Sequence, residues 1–128
     1  MKLRIRGNSL RLRLNQQELT QLAETGRVED QIQFGPREEN GLRYSLTSQS
    51  QDARLRAEIS SGHIQVYART DDVQRLAQTE EVGLEDVQDL TDNNQLRLLV
   101  EKDFACLQKR PGEEDAHAFA NPQQGQAC

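Results

Sequence analysis

Tryptophan is absent from the 128-residue chain, and aromatic residues together make up only 4% of it. The hydrophobic fraction is 34%, so the core must be small and must rest on aliphatic side chains. No stretch approaches the roughly 20 apolar residues that a membrane-spanning helix needs, so we expect no membrane contact. The positive residues near the start precede no apolar segment, so we expect no signal peptide.

Cysteine is also scarce, since the chain has only Cys106 and Cys128. Two cysteines do not make the disulfide framework of a small secreted protein, and they predict a reduced, cytoplasmic setting. Cys106 and His117 are candidates for metal ligation, but their spacing fits no zinc motif. A free cysteine on the core side of a strand is usually a small buried hydrophobic residue. We therefore predict no metal and no other cofactor.

Cations are concentrated at the start of a chain whose net charge is -5. The opening MKLRIRGNSLRLRL contains five bases and no acid. Net acidity and the shortage of aromatic stacking residues argue against nucleic acid as a partner. Arginine's planar fork suits carboxylates and phosphates, so this segment predicts an anion-binding surface. Its bases are Lys2, Arg4, Arg6, Arg11 and Arg13.

The alternation of apolar and basic residues in this segment predicts two strands, and Gly7-Asn8 between them predicts a two-residue hairpin turn. Pairing across that turn puts all the aliphatic side chains on one face and all the cations on the other. Arg4 then lies opposite Arg11, and like charges in that position are destabilising. The aliphatic pairs predicted are Ile5 with Leu10, Leu3 with Leu12 and Met1 with Leu14.

An offset of 54 residues aligns turns, helix starts and apolar positions of the two halves in the same order. The second hairpin is predicted at Ser61-Gly62. A helix is predicted to begin at Asn15, where Glu18 completes a capping box, and another near Thr70. We therefore predict two β-β-α-β-β repeats, over residues 1–50 and 55–104.

The predicted fold is α+β: a curved antiparallel sheet or pseudo-twofold barrel with two short helices. A single domain is predicted over residues 1–107. Residues 108–128 are rich in acids, Gln, Pro and Ala, and we predict that they form a largely disordered tail.

The start MKLRIRGNSLRLRL, the segment NQQEL and the late run LLVEKDFACL together resemble a family of small bacterial proteins of unknown function. The resemblance extends from Met1 to about Asn121-Pro122. It implies a bacterial, cytosolic, single-domain protein. It supplies no activity, cofactor or catalytic residue.

The function predicted from the sequence is noncatalytic binding of an anionic ligand or partner. The predicted site comprises the five bases of the first hairpin and Arg43, placed on a neighbouring strand. The alternative is a structural or homo-oligomeric module whose bases meet acids of the second half, where eight acids and one base lie between Asp71 and Asp92. No catalytic constellation is evident, because His117 lies in the tail and His63 is expected on the surface beside a turn.

Overall fold

The computed structural model describes residues 1–105, which contain eight β-strands and two α-helices. The α+β class predicted from the sequence is confirmed. A short 3₁₀ turn spans Glu38–Asn40. The elements are β1 (Lys2–Arg6), β2 (Ser9–Leu14), α1 (Gln16–Thr25), β3 (Arg27–Gln33), β4 (Gly41–Gln49), β5 (Leu55–Ser60), β6 (His63–Arg69), α2 (Thr70–Gln78), β7 (Gly83–Asp89) and β8 (Gln95–Lys102).

The strands form two separate four-stranded sheets, not one curved sheet or a closed barrel. The first sheet has the strand order β1-β2-β8-β7 and the second β3-β4-β6-β5. Both sheets are mixed, because β2 pairs with β8 and β4 with β6 in parallel. The prediction of an antiparallel sheet is wrong because alternation and turns specify only strands adjacent in sequence. The parallel pairs join segments far apart in the chain.

The hairpins have the predicted registers. In the first, Arg4 lies opposite Arg11 and Ile5 opposite Leu10, with Gly7 at φ +55° in the turn. In the second, Ile59 lies opposite Ile64, with Gly62 at φ +73°. A two-residue turn needs these left-handed conformations, which cost glycine little.

The first helix begins where its sequence predicts. The Asn15 side chain accepts a hydrogen bond from the Glu18 amide, and the Glu18 side chain accepts one from the Asn15 amide. Gly26, at φ +86°, ends the helix in the left-handed conformation. The second helix begins at Thr70 as predicted. It lacks a side-chain cap and has Asp71 and Asp72 in its first turn.

The inward faces of the sheets and the apolar sides of both helices share one core. Helix α1 follows the end of β2, and α2 follows the end of β6, so both helices lie at one end of the molecule. The two hairpin turns lie at the other end. The core consists of Leu10, Leu12, Leu14, Leu19, Leu22, Val28, Leu46, Leu55, Ala57, Val66, Ala68, Val73, Leu76, Leu84, Leu98 and Val100.

The last strand, β8, stops level with its neighbour. It ends at Lys102 because its parallel neighbour β2 ends at Leu14, where α1 begins. Phe104 therefore lies outside the sheet and is exposed. Cys106, His117 and the predicted tail lie outside the described residues. Within residues 1–105 no helix has the length and apolarity to cross a membrane.

Candidate anion-binding face

Five cations project from the outer side of the first sheet: Lys2, Arg4, Arg6, Arg11 and Arg13. We call them the basic face. The cations of β1 are exposed and those of β2 are half-buried. The register sets Lys2 opposite Arg13 and Arg4 opposite Arg11, so like charges are held side by side. The alternation that buries Leu10, Leu12 and Leu14 forces this arrangement.

Two carboxylates from the end of β8 compensate part of this charge. Glu101 lies opposite Arg13 across the parallel pair. Its carboxylate is 3.1 Å from Nε of Arg11 and 3.7 Å from Nε of Arg13. Asp103, just beyond the strand, is 2.8 Å from Nζ of Lys2. Carboxylates of the second half therefore do meet the basic face, but these two lie outside the acidic segment 71–92 noted in the sequence.

Three acids of segment 71–92 meet arginines outside the basic face. Asp72 and Glu81 both bind Arg75, with shortest distances of 2.7 and 2.6 Å. Glu85 lies 3.9 Å from Arg97 on the neighbouring strand β8. The acid-rich strand β7 is the far edge of the first sheet, two strands away from β2. The outer surface of this sheet thus changes from cationic at β1 to acidic at β7.

Arg4 differs from its neighbours because it forms no ion pair or hydrogen bond with any residue in the range 1–105. It is exposed and faces Arg11, whose own partner is Glu101. A carboxylate or phosphate arriving from outside would relieve the repulsion between these two guanidinium groups.

Arg43 lies in the other sheet, so the prediction that it extends the basic face from a neighbouring strand is wrong. It is on β4 with its side chain exposed, and it lines a cavity of about 620 Å³ together with Gln31, Gln33 and Glu38. Sequence alternation gives the side of a strand on which Arg43 points, but it does not say which sheet holds the strand.

His63 is buried, with 8% of its surface exposed, so its expected surface position is also wrong. Its Nε2 atom lies 2.9 Å from Oγ of the fully buried Ser45 and 3.4 Å from Oε1 of Glu29. A hydrolytic relay needs the carboxylate on the ring nitrogen that does not face the serine. Here both groups face the same nitrogen and Ser45 is inaccessible, so the cluster is not arranged for nucleophilic catalysis.

A second buried polar group, Asp72, was not identified from the sequence. Its side chain is 1% exposed, and it accepts hydrogen bonds from Nε of Arg69 and from Arg75, both at 2.7 Å. Burial acts to raise the pKa of this carboxyl, but the bonds from Arg69 and Arg75 outweigh it and hold the pKa below its ordinary 3.8. The sequence signal was an acid flanked by arginines three residues before and after it.

The described residues contain no cluster of His, Cys, Asp and Glu side chains suited to a metal ion. The candidates Cys106 and His117 lie beyond residue 105, so the metal prediction for them stays a prediction.

Fold and surface together define an α+β protein of two packed mixed sheets, one of which carries an open cationic hairpin. The chain belongs to a family of unknown function, DUF7009, whose model matches residues 1–123. No curated protein gives a significant match to the chain. The same is true of the solved structures.

Proposed function

We propose that this protein is a noncatalytic binding module whose basic face takes an acidic segment of a partner. The observation that carries the proposal is Arg4, an exposed guanidinium held opposite another cation with no counter-ion among residues 1–105. Folding costs free energy when it places Arg4 opposite another cation, and an acidic partner would offset that cost.

The shape of the basic face favours an extended partner over a small ligand. Small-molecule sites are concave, whereas these cations project from the outer side of a sheet. The larger cavities lie elsewhere: one beside Arg43 in the second sheet, and one of about 780 Å³ between β5 and β7. A small phosphate or carboxylate would meet only one or two guanidinium groups at a time.

The hairpins of the two halves of the chain differ in charge, and this difference supports a binding role for the basic face. We propose that the two halves are repeats of one β-β-α-β-β unit, because exchanging them reproduces the strand order of both sheets and the register of the two parallel pairs. The second hairpin carries Arg56 and Glu58 where the first carries Lys2 and Arg4. Tyr67 binds Glu58 at 3.0 Å and stacks under Arg56. The fold therefore does not require the first hairpin to be cationic.

The rival function is a self-neutralised structural or homo-oligomeric module. It is favoured by Glu101 and Asp103, which pair with Lys2, Arg11 and Arg13. Under this reading the arginines stabilise the sheet, and binding to an outside acid is weak. We also propose a bacterial, cytosolic setting, from the cysteine usage and the resemblance noted in the sequence.

The test compares Arg4→Glu with Arg37→Glu, a matched reversal at an exposed arginine in the loop before β4, where its partner is Glu39. The probe is fluorescent poly-L-glutamate, titrated at about 20 mM salt and again at about 500 mM, where the Debye length falls to about 4 Å. Arg4→Glu should weaken binding about tenfold, Arg37→Glu should leave it unchanged, and high salt should abolish it.

Two outcomes would reject the proposal. One is that the unaltered protein does not bind the polyanion at low salt. The other is that Arg4→Glu lowers thermal stability or splits an oligomer while binding stays the same, which is the result that the rival function predicts.

A further inference from the structure

The edge of β1 presents backbone groups that are available for another strand. In a hairpin with a two-residue turn, the two residues that flank the turn form a hydrogen-bonded pair. Counting from that pair, the backbone amide and carbonyl of every second residue point away from the partner strand. Arg6 and Ser9 flank the first turn, so the amides and carbonyls of Leu3 and Ile5 point outward from β1. By the same rule, the backbone amides and carbonyls of Leu55 and Ala57 point outward from the edge of β5, while their side chains face the core.

At β5 this edge is capped by side chains of β7. The Leu55 amide donates to Oδ2 of Asp86 at 3.0 Å, and the Ala57 amide donates to Oε1 of Gln88 at 2.8 Å. Nε2 of Gln88 in turn donates to the Ala57 carbonyl at 2.9 Å. These carboxylate and amide groups replace a neighbouring strand, and β5 packs alongside β7.

The corresponding edge at β1 is capped only at its beginning. Asp30, opposite Tyr44, corresponds to Asp86, opposite Leu98, because β7 is shifted by two residues from the 54-residue offset. Asp30 binds the Met1 amino group at 2.7 Å. Two residues further along the strand, however, Ile32 takes the position of Gln88, as each lies opposite a leucine, Leu42 or Leu96. An isoleucine side chain cannot hydrogen-bond to the backbone. Within residues 1–105, no side chain bonds to the outward amides and carbonyls of Leu3 and Ile5.

Exposed apolar side chains lie on β1 itself, on β3 and directly after β3. Ile5 is 62% exposed, Ile32 49% and Phe34 74%. Ile5 also lines a cavity of about 340 Å³ together with Leu10 and Leu96. Large aliphatic and aromatic side chains exposed beside unpaired backbone groups are typical of a surface that another strand covers.

We infer that β1 binds an extended peptide by strand addition, and that the peptide alternates acidic with apolar residues. The inference rests on the proposed function and specifies how the partner docks. On an added strand, every second side chain lies beside Lys2, Arg4 and Arg6, and the others point toward Ile5 and its cavity. A second copy of β1 does not fit, because its cations would lie directly against these cations.

The test introduces the missing cap. Ile32→Gln places at β3 the residue that caps β5, and Val82→Gln is the matched control at another exposed aliphatic residue. The probes are an acetylated, amidated peptide Glu-Val-Glu-Val-Glu-Val-Glu and a peptide of the same composition with its four glutamates grouped. We expect the unaltered chain to bind the alternating peptide about tenfold more tightly than the grouped peptide. Ile32→Gln should remove this difference in affinity. Val82→Gln should not change it.

Amide hydrogen exchange gives an independent measurement on the full chain. Without peptide, the amides of Leu3 and Ile5 should exchange at least about tenfold faster than those of Leu55 and Ala57, and saturating alternating peptide should slow them. Equal binding of the two peptides, or Leu3 and Ile5 amides already as protected as Leu55 and Ala57, would overturn strand addition. If poly-L-glutamate still binds and Arg4→Glu still weakens it, the basic face survives without this docking mode. If the unaltered chain binds neither poly-L-glutamate nor the acidic peptides, both the binding role of the basic face and strand addition are rejected.

Discussion

Replacing Asp72 by asparagine tests how this fold tolerates a buried charge. The Asp72 side chain is 1% exposed, and its two carboxylate oxygens accept hydrogen bonds from Arg69 and Arg75 at 2.7 Å. Nε of Arg54 lies 4.0 Å away, at the beginning of the second hairpin. The carboxylate therefore joins α2 to the strands on which it packs, and the substitution changes its charge with almost no change of shape.

The expected cost follows from the exposure of the partners. Removing one member of a fully buried ion pair costs about 3–5 kcal/mol. The side chains of Arg69 and Arg75 are 36% and 43% exposed, so water can solvate them once the carboxylate is gone. Asparagine also keeps one oxygen that accepts a hydrogen bond. We therefore expect the free energy of unfolding to fall by about 2 kcal/mol, and the melting temperature by about 7 °C.

Urea unfolding followed by circular dichroism measures this loss, with Asp71→Asn as control. Asp71 is the exposed neighbour in the same helical turn, so its substitution should cost less than about 0.5 kcal/mol. If Asp72→Asn costs no more than Asp71→Asn, the carboxylate does not stabilise the fold and the reasoning is refuted.

The pH dependence provides a second check. Because the folded-state pKa of Asp72 lies below its ordinary 3.8, its stabilising effect is present above that value and is lost as the pH falls through the folded pKa. The stability difference between the unaltered chain and Asp72→Asn should therefore stay constant from neutral pH down to about pH 5 and shrink in stronger acid. A difference that grows in acid contradicts the assigned direction of the shift.

Two further predictions concern other buried polar groups. Burial acts to lower the pKa of the Met1 amino group, but bonds to Asp30 and Glu18 outweigh it and raise the pKa above 8.0. Asp30→Asn should thus lower stability at neutral pH, and the difference should vanish as the pH rises through the raised pKa; an unchanged difference at about pH 11 in urea unfolding would contradict this. Ser45→Ala removes the hydroxyl bound to His63 and should cost about 1 kcal/mol, measured by thermal unfolding, and no loss would show that the hydrogen bond contributes nothing.

Features that depend on neighbouring residues were predictable from the sequence. The Gly7-Asn8 turn and the alternation around it determine that Arg4 lies opposite Arg11. The capping box of Asn15 and Glu18 and the terminating Gly26 likewise set the bounds of α1. In each case the interacting groups are few residues apart, so local geometry leaves one arrangement.

The candidate site was predictable only in part. Its five hairpin cations do share one face, as the alternation requires. Their partner Glu101 is 88 residues beyond Arg13 in the chain, and it meets them because β8 pairs with β2 in parallel. Arg43, predicted for the same surface, belongs to the other sheet.

The order of amino acids is enough to predict which side of each strand is apolar, where the chain turns and where the cations gather. Tertiary structure alone decided which strands are neighbours, and with that the burial of His63, the capping of Ala57 by Gln88 and the open edge at Leu3. The physical reason is that a side chain's face is fixed by backbone geometry within a few residues. The neighbours of a strand are instead selected by the total burial and hydrogen bonding of segments from the whole chain.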